Sequence, residues 1–213
     1  MYQILEKRRL SSNVVLLVID APYVAKKAEP GQFIILRVDA DGERIPLTIS
    51  AYDRKKGTIT IVVQEVGATT MKLGQMNQGD CLHDFVGPLG KASEFDGIKK
   101  AAVVGGGLGC AIALPQAQKL HDMGVDVDLI AGFRNTDAII LEDEMKGACS
   151  RLTLVTDDGS NGHKGFVTDA LKELIEAGNK YDVVIAIGPM IMMKFVCKTT
   201  EPYGIKTIVS MNT

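Results

Sequence analysis

The chain has 213 residues, of which 46% are hydrophobic and 23% are charged, and its formal net charge is −2. This composition is typical of a folded globular protein with one or two domains, and the near-neutral charge does not indicate a nucleic-acid or acidic-membrane partner. The longest apolar runs, such as Val14–Ile19, are far shorter than the roughly 20 residues that cross a bilayer. We therefore expect a cytoplasmic protein that binds neither nucleic acid nor a membrane.

The first half of the chain contains short apolar or alternating runs separated by Pro, Gly and Asp. Six of these runs predict strands: Gln3–Arg8, Val14–Asp20, Phe33–Val38, Pro46–Ala51, Thr58–Glu65 and Cys81–Val86. Strands at this spacing are typical of a small antiparallel β-barrel. Thr69–Met76 is the helix predicted in this half.

The second half alternates between strand and helix patterns. The predicted strands are Ala101–Val104, Val125–Ala131, Leu152–Thr156, Val183–Ile187 and Ile205–Ser210. The predicted helices are Ala111–Met123, Leu141–Lys146, Thr168–Ala177 and Met190–Tyr203. This alternation predicts a five-stranded parallel α/β domain with helices on both faces of the sheet. We therefore expect a barrel domain over residues 1–97 and an α/β domain over residues 98–213.

A glycine loop, Gly105–Gly109, follows the first strand of the second half and precedes a helix. Such a junction points backbone N–H groups and the positive end of the helix dipole at one place, which suits a pyrophosphate; the alternative is a turn needed only for packing. Cys110 occupies the third position of a dinucleotide fingerprint, and no acidic residue ends the next strand. An ordinary Rossmann dehydrogenase is therefore not indicated. Arg134 fits either a 2′-phosphate contact or a plain surface position.

Two segments of the first half could also bind an anion. In Arg44–Ser50 a guanidinium with a planar fork of donors stands beside the hydroxyl of Thr48. In Gly67–Lys72 a glycine is followed by two threonines at the start of a helix, as in an anion nest. The alternatives are a barrel strand with a surface arginine and a simple helix cap.

The four cysteines, Cys81, Cys110, Cys149 and Cys197, are widely spaced, with no pair at the spacing of a zinc or iron–sulfur site. We expect four free thiols and no metal site. The sequence also offers no convincing nucleophile–base pair and no paired carboxylates suited to acid–base catalysis.

Seven segments occur in the order seen in the ferredoxin–NADP reductase superfamily, which the chain resembles over essentially its whole length. They are Pro30–Phe33, Arg44–Ser50, Gly67–Thr70, Gly87–Gly90, Gly105–Ala111, Thr156–Ser160 and Gly188–Met190. The resemblance is greatest to the FAD-binding and pyridine-nucleotide-binding subunits of two-subunit enzymes. These are of the ferredoxin:NADP oxidoreductase and sulfide dehydrogenase type, and the electron-transfer subunit of dihydroorotate dehydrogenase is related to them.

The resemblance implies roles for individual residues. The strand that clamps the flavin of FAD would comprise Arg44, Pro46, Leu47 and Thr48, with Thr48 near the reactive N5 edge as the catalytic residue. The turn that holds the FAD pyrophosphate would comprise Gly67, Thr69 and Thr70. The pyridine-nucleotide site would comprise Gly105, Gly106, Gly107, Gly109, Asp157, Asp158, Gly159, Gly188, Pro189 and Met190.

The function implied is that of a flavoprotein electron-transfer subunit. It would move a hydride between NAD(H) or NADP(H) and FAD, and pass electrons to an iron–sulfur centre or a larger partner subunit in a heterodimer. Ferredoxin or another redox partner would exchange electrons with the protein through that complex. The family's cysteine-rich arm, which binds a [2Fe–2S] cluster, would begin where this chain stops, so we expect the cluster only in a longer form of the chain.

Other functions remain open at this point. The chain could be the electron-transfer subunit of a dihydroorotate dehydrogenase, or a non-catalytic flavin-binding subunit with an assembly or regulatory role. A flavin-free nucleotide sensor is a further alternative.

Overall fold

The strands of the first half form two antiparallel sheets rather than one continuous ribbon. A computed structural model describes residues 2–211, and it divides the chain into two units, the first ending at Ser93 and the second beginning at Glu94. The strands of the first unit are β1 (Tyr2–Ser11), β2 (Val14–Asp20), β3 (Phe33–Arg37), β4 (Ile45–Thr48), β5 (Ala51–Asp53), β6 (Thr58–Gln64), β7 (Cys81–Leu82) and β8 (Asp84–Leu89). Their order is β5-β6-β2-β1-β7 in one sheet and β4-β3-β8 in the other.

The predicted antiparallel β class is confirmed, but the described part of this unit has eight strands where six were predicted. Two predicted strands, Pro46–Ala51 and Cys81–Val86, are each divided between the two sheets. The chain leaves one sheet and enters the other at Ile49–Ser50 and again at His83. Such changes of sheet form the corners of closed β structures.

The core of the first unit lies under the inward-facing residues of both sheets. The side chains of Leu17, Ile19, Ile34, Leu36 and Ile61 are fully buried there. These buried residues alternate along the strands, which explains why the hydrophobic pattern of the sequence repeats every two residues. Two helices complete the unit: α1 (Pro22–Ala25) and α2 (Ala68–Gln75).

The second unit is a parallel sheet with helices between its strands, which confirms the predicted α/β class. Its strands are β9 (Lys100–Gly106), β10 (Asp126–Phe133), β11 (Arg151–Thr156), β12 (Val183–Ile187) and β13 (Thr207–Val209), in the order β11-β10-β9-β12-β13. Its helices are α3 (Gly109–Asp122), α4 (Glu142–Gly147), α5 (Val167–Glu176) and α6 (Met190–Thr200). Short 3-10 turns occur at Thr136–Ala138 and Glu201–Tyr203.

The strand order reverses direction beside β9, because β10 and β11 lie on one side of it and β12 and β13 on the other. Helices α5 and α6 pack on one face of the sheet, over Val104, Ile130 and Val184. Helix α3 packs against β9, β10 and β12 and contacts α4. In open parallel sheets, ligands bind at the carboxyl ends of the strands where the order reverses, which here is the end of β9. In the described part of the chain, no helix is long and apolar enough to span a membrane.

Candidate functional site

The glycine loop lies at the carboxyl end of β9 and the start of α3, and three of its glycines are required by close packing. A Cβ atom on Gly105 would stand 2.8 Å from Sγ of Cys110, and one on Gly106 would stand 2.5 Å from Sδ of Met192. A Cβ atom on Gly109 would stand 2.4 Å from the carbonyl oxygen of Ile187. These glycines therefore let α3 and α6 approach the ends of β9 and β12 closely.

Gly107 differs from its neighbours because it faces open space. Its φ is +55°, in the left-handed region that favours glycine, and no atom lies within 4 Å of the place where its Cβ would stand. Its N–H donates to the carbonyl oxygen of Gly132 at 2.9 Å. Gly107 thus leaves room for a ligand, whereas the other three glycines of the loop serve internal packing.

The open space at Gly107 belongs to a cavity of about 610 Å³ within the second unit. Its lining comes from the carboxyl ends of β9, β10 and β11 and from the starts of α5 and α6. The lining residues are Gly106, Gly107, Gly132, Phe133, Arg134, Val155, Asp157, Gly165, Phe166, Val167, Thr168, Pro189, Ile191, Met192 and Phe195. A cavity of this size, mostly apolar with a few polar groups, is typical of a small-molecule site.

The residues proposed for the pyridine nucleotide fall into two groups. Gly106, Gly107, Asp157 and Pro189 line the cavity, whereas Met190 does not line it and is 71% exposed.

Asp158, Gly159 and Gly188 do not line the cavity and make contacts within the protein. The side chain of Asp158 accepts a hydrogen bond from the N–H of Ser160, and hydrogen bonding by Ser160 lowers the pKa of that carboxyl group. Gly159 (φ +77°) and Gly188 leave room for Lys164 and Met192 respectively.

Apart from Pro189, the apolar lining residues were missed from the sequence, and three of them are exposed. Phe166 is 63% exposed just before α5, and Ile191 and Phe195 are 60% and 49% exposed on α6. Ile191 and Phe195 stand at the i, i+4 spacing that places two side chains on one helix face. A cluster of large, exposed apolar side chains is unusual on a protein surface. The sequence did not predict that these three side chains are exposed.

Cys110 follows the glycine loop but is not a reactive group. Its side chain is 1% exposed, and burial raises the pKa of its thiol to about 12. A neutral thiol is neither a nucleophile nor a metal ligand. Within residues 2–211, moreover, no three His, Cys, Asp or Glu side chains are grouped as a metal site requires.

In the first unit, β4 directs alternate side chains to opposite faces of its sheet. Ile45 and Leu47 pack against the core beside Leu36 and Ile34, which are their partners on β3. Pro46 and Thr48 therefore face outward, with Ile35 and Phe33 as their partners. Arg44 is exposed just before the strand, and its Nη2 donates to Oδ2 of Asp84 at 3.0 Å.

The start of α2 presents the second candidate site of the first unit. Oγ1 of Thr70 accepts hydrogen bonds from the N–H groups of Val66 (3.1 Å) and Gly67 (2.9 Å), so this hydroxyl caps the helix. The hydroxyl of Thr69 donates to Oε1 of Glu43 at 2.7 Å.

No atom lies within 4 Å of a Cβ built on Gly67. The first turn of a helix also leaves backbone N–H groups without partners inside the helix. An anion can therefore approach this helix end closely, which fits one half of the pyrophosphate cradle that FAD requires.

Comparison with known proteins agrees with these features. A family model described as an oxidoreductase FAD-binding domain matches residues 1–93. The chain is 50% identical over 220 residues to a protein of the adh 3′ region of Clostridium beijerinckii, covering 100% of this chain and 74% of that protein. It is 40% identical over 210 residues to a dihydroorotate dehydrogenase B (NAD(+)) electron transfer subunit homolog of Thermotoga maritima, covering 99% of this chain and 74% of that protein.

A solved structure is similar over the whole chain. The structure of an NADH-dependent reduced ferredoxin-NADP oxidoreductase superimposes with a TM-score of 0.92 and 38% sequence identity. The match covers 100% of this chain and 76% of that one.

Proposed function

The chain belongs to the ferredoxin–NADP reductase superfamily, among its FAD-binding electron-transfer subunits, and on this premise we propose that it exchanges a hydride with NADH or NADPH. The open glycine loop on a cavity of about 610 Å³ is the observation that carries the proposal. Bound FAD would supply the chemistry, since a flavin accepts two electrons together and releases them singly.

The protein's own part in this proposal is to bind and orient. Gly107 would admit the pyrophosphate of the pyridine nucleotide, and the apolar wall around Phe166 and Phe195 would exclude water from the rest of the site. Asp157 and Arg134 are the charged groups of the lining and would contact polar groups of the nucleotide. In the first unit, Thr48 would hydrogen-bond the reactive edge of the flavin.

Most of the remaining site residues keep the roles that the family resemblance implies. Pro46 would support the flavin from the outward side of β4, and Leu47 would act indirectly, by packing β4 on its core. Gly67 and Thr69 would receive the FAD pyrophosphate. Thr70 would act indirectly, by capping α2. Asp158, Gly159, Gly188 and Met190 would shape the rim of the pyridine-nucleotide site.

The partner is proposed to be a larger oxidoreductase subunit. The names of the relatives describe electron-transfer subunits and an NADH-dependent ferredoxin-NADP oxidoreductase, and these support an assembly of that kind. A dihydroorotate dehydrogenase is the second candidate, because relatives at 40% and 32% identity carry that name. We place the protein in the cytoplasm, since the four cysteines are free thiols, as a reducing compartment favours.

The test is an anaerobic absorbance titration of the FAD-loaded protein with NADH and, separately, with NADPH. Loss of the flavin band at about one equivalent of either nucleotide is expected, because a hydride carries both electrons that the flavin takes up. A flavin that binds but stays oxidised with both nucleotides would instead favour a non-catalytic subunit. A protein that binds NADH but no flavin would favour a nucleotide sensor.

A matched pair of variants locates the nucleotide. Gly107→Asn is expected to weaken nucleotide binding at least tenfold and to leave FAD binding unchanged, because asparagine tolerates a positive φ and its side chain would enter the cavity. Gly124→Asn is the control, since Gly124 also has a positive φ (+81°) and open space around it but does not line the cavity. Equal effects of the two substitutions would contradict the assignment.

A further inference from the structure

We propose that Asp84 is a positioning residue for FAD, which holds the guanidinium of Arg44 in place to receive the phosphate-bearing part of the cofactor. The inference rests on the proposed placement of FAD on the first unit. It concerns a carboxylate, a group that by its own charge would repel a phosphate, so its presence beside Arg44 needs an explanation.

Asp84 is itself held firmly. Nε of Arg37 lies 2.8 Å from its Oδ2 in an ion pair that is not aligned as a hydrogen bond. Nδ1 of His83 lies 3.1 Å from its Oδ1. Arg37 is anchored in turn, because its Nη1 donates to the carbonyl oxygen of Ala40 at 2.9 Å.

These contacts keep Asp84 charged. Hydrogen bonding with His83, and then the ion pair with Arg37, holds the pKa of this carboxyl group below its usual range. At neutral pH it is therefore a fixed anion at the start of β8, to which one further cation can bind.

That further cation is Arg44, which uses only a small part of its hydrogen-bonding capacity here. Its Nη2 donates to Oδ2 of Asp84 at 3.0 Å, and its side chain is 60% exposed. A guanidinium has five N–H donors, so most remain available to a phosphate. Alternation along the chain places Arg44 on the same outward side as Pro46 and Thr48 of β4.

Two effects of Asp84 on a bound phosphate oppose each other. Its negative charge repels the phosphate, but two guanidinium groups surround it, so the cluster keeps an excess positive charge. Without the carboxylate, Arg37 and Arg44, which both lie within 3.0 Å of the same oxygen, would repel each other. Arg44 would also have to be immobilised by the ligand itself, which costs affinity. We expect orientation to outweigh repulsion, because charge repulsion at an exposed site is screened by salt.

The experiment compares the affinity for FAD and for riboflavin, which has no phosphate, in the full chain freed of flavin. Flavin fluorescence gives the dissociation constants of the wild type, Asp84→Asn, Arg44→Ala and the double variant. Asp20→Asn, an exposed carboxylate at the end of β2, is the matched control. Circular dichroism and thermal melting confirm that each variant is folded.

Asp84→Asn is expected to weaken FAD binding about three- to tenfold, the cost of fixing a long side chain on binding, and to leave riboflavin binding unchanged. In the Arg44→Ala background the same change should have almost no effect, and Asp84→Glu should restore part of the affinity. Tighter FAD binding by Asp84→Asn would overturn the proposal, because Asp84 would then compete with the phosphate. Equal loss for FAD and riboflavin, or no loss, would also overturn it. A wild-type protein that binds no FAD would overturn the placement of FAD as well.

Discussion

Single glycines decide how closely the elements of the second unit approach one another. Gly109 allows the start of α3 to lie against the end of β12, where the carbonyl oxygen of Ile187 and the Cα of Gly188 leave no room for a side chain. Both obstacles are backbone atoms, so no change of rotamer relieves the clash. The same approach brings the glycine loop to the rim of the cavity.

Gly109→Ala is therefore expected to lower the free energy of unfolding by about 1–3 kcal/mol or more, as an overpacked site does. Chemical denaturation measures the change. Gly147→Ala is the control, because Gly147 ends α4 with nothing within 4 Å of its Cβ position. That control should be neutral or slightly stabilising, and a similar loss in both variants would contradict the role given to close packing.

Tyr181 also has a structural role, because it hydrogen-bonds a buried carboxylate. This carboxylate lies at the opposite end of the strands from the glycine loop. Asp128, near the start of β10, is 1% exposed, and its Oδ2 accepts a hydrogen bond of 2.6 Å from the Tyr181 hydroxyl. Lys100 and Arg151 lie 3.7 and 3.4 Å from the same carboxylate. These groups lie at the amino ends of the strands, so we assign them to stability and not to ligand binding.

Tyr181→Phe is expected to lower the free energy of unfolding at pH 8 by about 1.5–3 kcal/mol, the value of a hydrogen bond to a charged group. Burial, and then the hydrogen bond to Asp128, raise the pKa of the Tyr181 phenol. The unfolded chain releases this proton above about pH 10, whereas the folded chain retains it. This contribution is therefore complete below that pH and declines above it.

The gap in stability between wild type and Tyr181→Phe should consequently narrow as the pH rises from about 8 to about 11. Urea denaturation at several pH values measures it. A gap that stays constant or widens over this range would show that the phenol does not stay protonated in the folded protein.

Among the elements, α2 shows how two adjacent hydroxyls can divide two tasks. The hydroxyl of Thr70 accepts from two backbone N–H groups and closes the helix start. The hydroxyl of Thr69 instead donates to the side chain of Glu43. Sequence reasoning gave both residues the same role in binding the FAD pyrophosphate, whereas the contacts favour Thr69 for the ligand and Thr70 for the helix.

Thr70→Ala is accordingly expected to cost about 0.5–2 kcal/mol of stability, the usual effect of losing a helix cap. Thr69→Ala should change stability by less than about 0.5 kcal/mol, as exposed substitutions do, but should weaken FAD binding. Thermal melting and flavin fluorescence separate the two effects. Equal stability losses would contradict this division of tasks.

Most elements could be predicted from the sequence because their burial is regular. Val14–Asp20 and Val183–Ile187 are strands with the predicted bounds. The crossings between sheets at Ile49–Ser50 and His83 could not be predicted, since alternation continues through a corner and does not reveal which sheet a residue joins. Helix α1 was missed because a helix of four residues is too short to show a period.

Of the candidate site, only the glycine loop could be predicted from the sequence, because its composition is distinctive. The loop lies on a cavity, as a ligand-binding loop would. The apolar wall of that cavity comes from residues of α6 and the start of α5 that are distant in sequence, such as Phe166 and Phe195. Helical spacing alone does not distinguish a ligand-facing apolar stripe from a core-facing one.

At the scale of the whole molecule, each of the two units has its own core and its own candidate nucleotide site. In the first unit, the candidate nucleotide site consists of the outward side of β4 and the start of α2. The second has the cavity at the ends of its parallel strands. One chain could therefore take two nucleotides with separate sets of residues, as transfer of electrons between them requires.

Hydrogen–deuterium exchange should distinguish the two sets. FAD is expected to slow exchange of the amides of β4 and of residues 66–71, while NADH slows exchange in residues 105–109 and 165–168. The reason is that a ligand protects the backbone groups it contacts or orders. Protection of residues 105–109 by FAD alone would contradict the assignment of the sites to the units.

The position of β9 in the middle of its sheet has a consequence for synthesis on the ribosome. The pairing of Gly105 with Ile187, and the packing of Gly106 against Pro189 and Met192, join the loop to residues that are translated long after it. A nascent chain that has not yet reached α6 lacks one wall of the cavity, while every strand of the first unit has already been made. The protein could thus acquire its flavin before the second unit is made, but a pyridine nucleotide only after α6 has been made.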